Sequence, residues 1–162
     1  KGRTVRRGEP VNFEVGAAVN RYYASLWQTA HVGDSVPPVV ERVEEAVTNG
    51  LQAAIDQIEP DVPADEVHDA CQSVLQEAGY AEFSPHRTGY SLGIGFPPGW
   101  GEGHIVSIGP GDDTPLEQNM VFHMPVTVIL PDYGTVGCSV TLRVADDGAE
   151  ILADLNRAVH RR

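Results

Sequence analysis

Basic residues, cysteine and long apolar runs are all scarce in this sequence of 162 residues. Lys and Arg number 11 against 23 Asp and Glu, a formal charge of −12 with histidine neutral. Six of the 11 basic residues, Lys1, Arg3, Arg6, Arg7, Arg161 and Arg162, sit at the two ends. The body between them is strongly anionic, which disfavours an extended phosphate-binding surface, so no nucleic-acid partner is expected. No run approaches the about 18 apolar residues of a membrane span, and no membrane partner is expected either. The basic start KGRTVRRGEP has no apolar segment behind it and does not read as a signal peptide; a cytoplasmic protein is the simplest compartment. The two cysteines, Cys71 and Cys138, show no CxxC pair and no zinc-type spacing with histidine, and they read as small buried hydrophobes. What is plentiful is ordinary: 41% hydrophobic and 21% charged residues, in a length that suits one domain over 1–162.

Hydrophobic periodicity sketches the elements. Val11, Phe13 and Val15 alternate with Asn12, Glu14 and Gly16, the period of two of a strand with unlike faces. A turn near 17–20 and a second extended run over 21–31, rich in Tyr22, Tyr23, Leu26 and Trp27, complete a hairpin. Pro37-Pro38 ends that strand and opens a helix over 39–58, where Val43, Val47, Leu51, Ala54, Ile55 and Ile58 form one apolar stripe. A second helix is expected over 63–78, burying Val67, Cys71, Val74 and Leu75, with Gly79 as its left-handed stop and His68 a solvated or partly satisfied histidine rather than a ligand. Short strands follow over 89–96, 105–108, 120–130 and 136–144. A turn at Asp146-Asp147-Gly148 then leads to a closing strand or helix over 151–159. A hairpin, two helices and then strands predict an α+β domain, its helices on one face of a mostly antiparallel sheet.

Five blocks stand in order along the chain: Gly8-Glu9-Pro10-Val11-Asn12-Phe13-Glu14-Val15, then residues 22–29, Gly89-Tyr90-Ser91-Leu92-Gly93-Ile94-Gly95, residues 116–122 and residues 139–148. Together they resemble the catalytic domain of the creatinase, prolidase and methionine aminopeptidase superfamily, with its G-D-x-V-x-x-D-x strand and partner strand, G-H-G-x-G-x-G segment, L-x-P-G-M-V-F run and closing E-x-T-x-x-V-T-x-x-G. The resemblance implies the pita-bread fold, a mostly antiparallel curved sheet with two helices on one face. It begins midway through that domain, so the chain is expected to be its C-terminal part, inactive alone and completed by a missing N-terminal half. Phe13-Glu14-Val15-Gly16, Met120-Val121-Phe122-His123 and the stretch from Arg87-Thr88-Gly89-Tyr90 to Gly99-Trp100-Gly101-Glu102 are most similar to the metal-free branch, creatinase and especially ectoine hydrolase.

In the metallopeptidase members two aspartates, a histidine and two glutamates hold two metal ions, and the resemblance sets Glu14, Ser25, Tyr90, Pro125 and Ser139 at those positions. One carboxylate with two hydroxyls, a phenol and a proline cannot neutralise a pair of divalent cations, so neither a metal nor another cofactor is expected. The family's second histidine falls near Pro97, which points the same way.

The branch implied is a metal-independent hydrolase of C–N bonds in a small cyclic amidine or guanidino-type solute. Such chemistry needs a base, an acid and an anchor for the cation. Glu14, Tyr90 and His123 are the candidate catalytic residues, with Trp27 and Tyr23 as substrate-binding residues. Glu14 lies opposite Phe13 and Val15 on its strand and faces a site or solvent. Tyr90 either donates a hydrogen bond to a developing negative charge or simply packs. His123 shares a strand face with position 125, as an assisting group or a core histidine; in the first case activity should change between about pH 5.5 and 8. Trp27 offers a face for a flat cation. His86, Arg87 and His104 read as surface residues, and the loop over 97–103 as a lid or dimer contact. A homodimer is expected for the full-length protein. The alternatives are a catalytically inactive pita-bread domain that binds peptide or protein, and an Xaa-Pro dipeptidase-like metallopeptidase.

Overall fold

A computed structural model describes residues 2–96, 99, 101–153, 155, 157–158 and 160–161. Strand β1 (Pro10–Val19) turns at Asn20 and Arg21 into β2 (Tyr22–His31), and the ten-residue register Pro10↔His31 to Val19↔Tyr22 sets Glu14 opposite Trp27. Both turn residues have positive φ, 51° and 72°, the backbone of a two-residue hairpin loop whose twist matches its strands. The turn therefore falls later, and β1 runs longer, than the alternation of Val11, Phe13 and Val15 suggests.

Helix α1 (Pro38–Asp56) starts on the proline pair and buries Val40, Val43, Val47, Leu51, Ala54 and Ile55. Helix α2 (Ala64–Glu77) buries Val67, Cys71 and Leu75, and Gly79 follows it at φ 79°. The helices touch where α1 has no side chain: a Cβ on Gly50 would lie 3.2 Å from the Cys71 sulfur. Of the two places expected for His68, solvated or partly satisfied, the structure shows the second. His68 is buried, and its Nδ1 lies 2.8 Å from the hydroxyl of Thr88. Burial lowers the pKa of this imidazole, which ties α2 to the segment just before β3 (Gly89–Ser91).

The remaining strands are β4 (Ser107–Ile108), β5 (Val121–Leu130), β6 (Gly134–Ala145), β7 (Gly148–Ala153) and β8 (His160–Arg161). The sheet runs β1-β2-β6-β5-β3-β4, with β7 also on β6 and β8 on β2. Among the described residues every strand pair is antiparallel except β2 with β8. The run expected over 89–96 pairs as strand only to Ser91, because the glycine-rich segment beyond it turns toward β2, where Gly93 O accepts the Tyr23 N–H at 3.2 Å. The closing segment is a strand, β7, rather than a helix; residues 154, 156 and 159 of the expected run lie outside the described residues.

The register Val126↔Cys138 places Phe122, Met124, Val126 and Val128 beside Val136, Cys138, Val140 and Leu142 on one sheet face, all buried in the core under α1. Both cysteines are buried and free. The opposite face of β5 and β6 carries His123, Thr127, Ser139 and Thr141, and these too are buried. A polar sheet face withdrawn from water is stable only if its groups find partners.

Candidate functional site

A cavity of about 490 Å³ opens on that polar face. β1 and β2 contribute Glu14 and Trp27, β3 contributes Tyr90 and the segment before it His86 and Arg87, and β5 and β6 contribute Pro125, Thr127, Ile129 and Thr135. The period of two explains why these residues meet. Glu14↔Trp27, Tyr90↔His123 and Pro125↔Ser139 are register pairs, so each pair projects to a common face.

Among the described residues Glu14 is the only carboxylate lining the cavity. Desolvation against the wall raises its pKa above the ordinary glutamate value, the direction that makes a carboxylate a stronger proton acceptor. Trp27 stands across from it; its indole nitrogen is buried with no hydrogen-bond partner among the described residues. The Arg87 guanidinium lies 4.9 Å from the centre of the Tyr90 ring and reaches the Ser107 hydroxyl at 3.4 Å. Arg87 and His86 are exposed, as the sequence suggests, yet both line the cavity. The local sequence offers no sign of this, because their approach depends on how β3 docks beside β5.

Tyr90 closes the inner end of the cavity and reaches His123 behind it: the phenol oxygen lies 2.7 Å from His123 Nδ1, with the two rings edge to face. His123 Nε2 lies 2.8 Å from the Ser139 hydroxyl, which also accepts the Trp27 backbone N–H at 2.6 Å. His123 is fully buried and does not line the cavity; burial pushes its pKa down to about 4. This corrects the expected titration between about pH 5.5 and 8: an imidazole enclosed on all sides stays neutral through that range. Tyr23 shares the Trp27 face of β2 but does not line the cavity, while His104 is exposed and outside it. Pro97 and Trp100 of the expected lid lie outside the described residues.

The five positions that the resemblance aligns with metal ligands, Glu14, Ser25, Tyr90, Pro125 and Ser139, share this face, but as a donor set they do not fit a dinuclear centre. Ser139 is already engaged by Trp27 and His123, Ser25 has a buried hydroxyl with no partner among the described residues, and Pro125 has no donor atom in its side chain. Among the described residues no group of three or more His, Cys, Asp or Glu could hold a metal ion.

The sequence profile described as metallopeptidase family M24 matches residues 1–146. Ectoine hydrolase of Halomonas elongata is 30% identical over 152 residues, 94% of this chain and 37% of that protein. The crystal structure of a prolidase from Thermococcus sibiricus superposes with a TM-score of 0.89 at 26% identity, covering 99% of this chain and 42% of that one. Dipeptidase PepE from Mycobacterium ulcerans superposes at 0.86, also at 26% identity, covering 98% and 41%. The chain thus spans well under half the length of each of these relatives, and the antiparallel curved sheet with two helices seen among its described residues is the pita-bread architecture of these family members.

Proposed function

This chain belongs to metallopeptidase family M24, a family of hydrolases, and within it we propose a part in the metal-independent hydrolysis of a C–N bond in a small cyclic amidine or guanidino-type solute. The observation that carries the reading is the cavity's chemistry: one carboxylate with a raised pKa, a phenol, an aromatic wall and an arginine line it, and of the five positions that the resemblance aligns with metal ligands only Glu14 keeps a carboxylate. Glu14 acts as the base that activates water or as the anchor of the cationic substrate, Trp27 covers the flat cation, and Tyr90 faces the reacting group. Arg87 supplies the cavity with a positive charge, so a solute that carries a carboxylate as well as its amidine suits both ends. The likeness to ectoine hydrolase supports this choice of substrate class. The full-length protein is proposed to be a homodimer in which the first half of the domain completes the site.

Metal content and turnover of the full-length protein test the reading. The expected results are no tightly bound manganese, cobalt or zinc, turnover of an amidine or N-acetylated diamine in the presence of chelator, and loss of that turnover in Glu14→Gln. Two equivalents of tightly bound metal would overturn it. The second reading, an Xaa-Pro dipeptidase, is favoured by the likeness to prolidase and dipeptidase structures. It predicts Xaa-Pro cleavage stimulated by manganese and abolished by chelator. Silence toward every substrate, with Glu14→Gln indistinguishable from the parent, would favour a domain that binds peptide or protein without catalysis.

A further inference from the structure

Gly101 and Gly103 stand two residues apart in the loop after β3, and each omits a side chain where another group needs the space. A Cβ on Gly101 would lie 2.7 Å from Cε2 of the Tyr90 ring, and one on Gly103 would lie 2.6 Å from Cζ of Arg87 and 2.7 Å from its Nη2. No methyl fits at those distances, so the loop backbone is itself the wall on which the ring and the guanidinium rest. That wall is tied to β3: Ser91 O accepts the Glu102 N–H at 2.8 Å, and the Ser91 hydroxyl donates to Glu102 O at 2.6 Å. Gly109 adds a second close approach, since a Cβ there would lie 3.1 Å from Arg87 Cβ. With the Tyr90 ring centre 4.9 Å from its Cζ, Arg87 is held at root and tip although solvent reaches it.

What this fixed cation lacks is an anion. Arg87 forms no ion pair among the described residues, although the chain carries 23 Asp and Glu. A guanidinium offers a fork of N–H donors, and among the described residues one reaches an acceptor, the Ser107 hydroxyl at 3.4 Å. Glu14 lines the same cavity and does not pair with Arg87. One cavity therefore presents a carboxylate and a guanidinium that leave each other's charge unmatched.

We propose that Arg87, positioned by the Tyr90 ring and the Gly103 backbone, is a specificity-determining residue that receives the carboxylate of a ligand whose cationic end meets Glu14. This deepens the hydrolase reading and rests on it for the cationic end, while the anchoring of the carboxylate can be read from binding without turnover. A planar guanidinium matches a carboxylate with two parallel N–H···O bonds, and a fork already held in place loses little side-chain freedom on binding. The ligand is then a zwitterion of a size that a cavity of about 490 Å³ encloses. A purely cationic solute leaves Arg87 unmatched, and a purely anionic one leaves Glu14 unmatched. The overall field works the other way. At −12 the chain draws a cation more strongly than a zwitterion, so a preference for the zwitterion requires a local positive group.

The test is calorimetric binding of γ-guanidinobutyrate and of its primary amide to the full-length protein, a pair that differs in the carboxylate alone. The acid should bind more tightly by about 10-fold or more, as a charge-assisted pair provides. Arg87→Gln, at an exposed position, should abolish the difference by weakening the acid and sparing the amide. In Gly103→Ala the added methyl displaces the guanidinium but leaves its charge, and Gly103 has no positive φ, so its backbone accepts alanine. The acid's advantage should fall there between those of the parent and Arg87→Gln. A parent that binds acid and amide alike, or binds neither, overturns the proposal. So does a parent preference that survives in Arg87→Gln, or one unchanged in Gly103→Ala. A preference that Arg87→Gln abolishes, in a protein that hydrolyses nothing, would refute the hydrolase reading and leave the carboxylate subsite standing.

Discussion

At the scale of single residues, protonation decides how the cavity works. Glu14 titrates above an ordinary glutamate because the wall strips part of its water. As a base it is active when deprotonated, so turnover should fall as pH drops through that raised pKa. Glu14→Gln should lower kcat by about 10²–10⁴. Its thermal midpoint should barely move, since this exposed position contributes within about 0.5 kcal/mol. For stability the sign is opposite to that of a paired carboxylate: the folded state holds this proton more tightly than the unfolded chain, so Glu14 disfavours folding above its raised pKa. His123 acts the other way. Its folded pKa of about 4 lies below the 6.5 of a free histidine, so the unfolded chain takes up the proton first as pH falls. Its contribution is complete above about pH 6.5 and is lost progressively toward pH 4, on the order of 3 kcal/mol in all. Thermal melts of His123→Gln should accordingly lose much of the acid sensitivity in that window. His68, lowered by burial as well, keeps the remainder.

At the scale of elements, the site depends on how closely β5, β6 and the hairpin approach one another. Gly137 of β6 faces Thr127 of β5, and a Cβ there would lie 2.6 Å from the Thr127 methyl and 2.7 Å from the Val126 carbonyl oxygen. Gly137→Ala must push the two strands apart on the face that carries the cavity. A loss of about 1–3 kcal/mol is expected in chemical denaturation. The hairpin turn is balanced instead. Arg21 holds φ at 72°, which costs roughly 1 kcal/mol, but its guanidinium lies 5.0 Å from the centre of the Phe96 ring, worth about 0.5–1 kcal/mol. Arg21→Gly relieves one and forfeits the other, so its thermal midpoint should stay close to the parent's, whereas Phe96→Ala should lose the stack without compensation. The helix-side face of the hairpin shows Phe13, Val15 and Val19 largely exposed, which explains why its clear alternation marks a strand but not a covered one.

At the scale of the whole molecule, β1 forms one edge of the sheet, with its outer backbone unpaired among the described residues and exposed apolar side chains beside it. An edge of this kind recruits further strands. The 162-residue chain expressed alone should therefore self-associate with rising concentration, as read by light scattering. Placing lysine at Val15 should suppress this, since a charge on an edge strand opposes pairing. The net charge of −12 makes identical copies repel one another at low ionic strength, so added salt should strengthen the association.

Local periodicity was enough to locate the hairpin, both helices and the two long strands, because each of those patterns repeats within a few residues and is written into the backbone geometry. Val43, Val47 and Leu51 mark α1 without reference to anything else in the chain, and the order of blocks from Glu14 to Ser139 is enough to suggest the family and the loss of its metal ligands. The protonation and enclosure of the site were settled by tertiary structure. His123 is neutral because packing buries it, and its ring is oriented by Ser139, 16 residues away, which is engaged in turn by Trp27, 112 residues from it. His68 is withdrawn from water by Thr88, 20 residues on, and Arg87 comes to the cavity only because β3 pairs with β5. Hydrogen-bond partners and desolvation are properties of what surrounds a group in space, and residues so far apart along the chain leave no local pattern from which to read them.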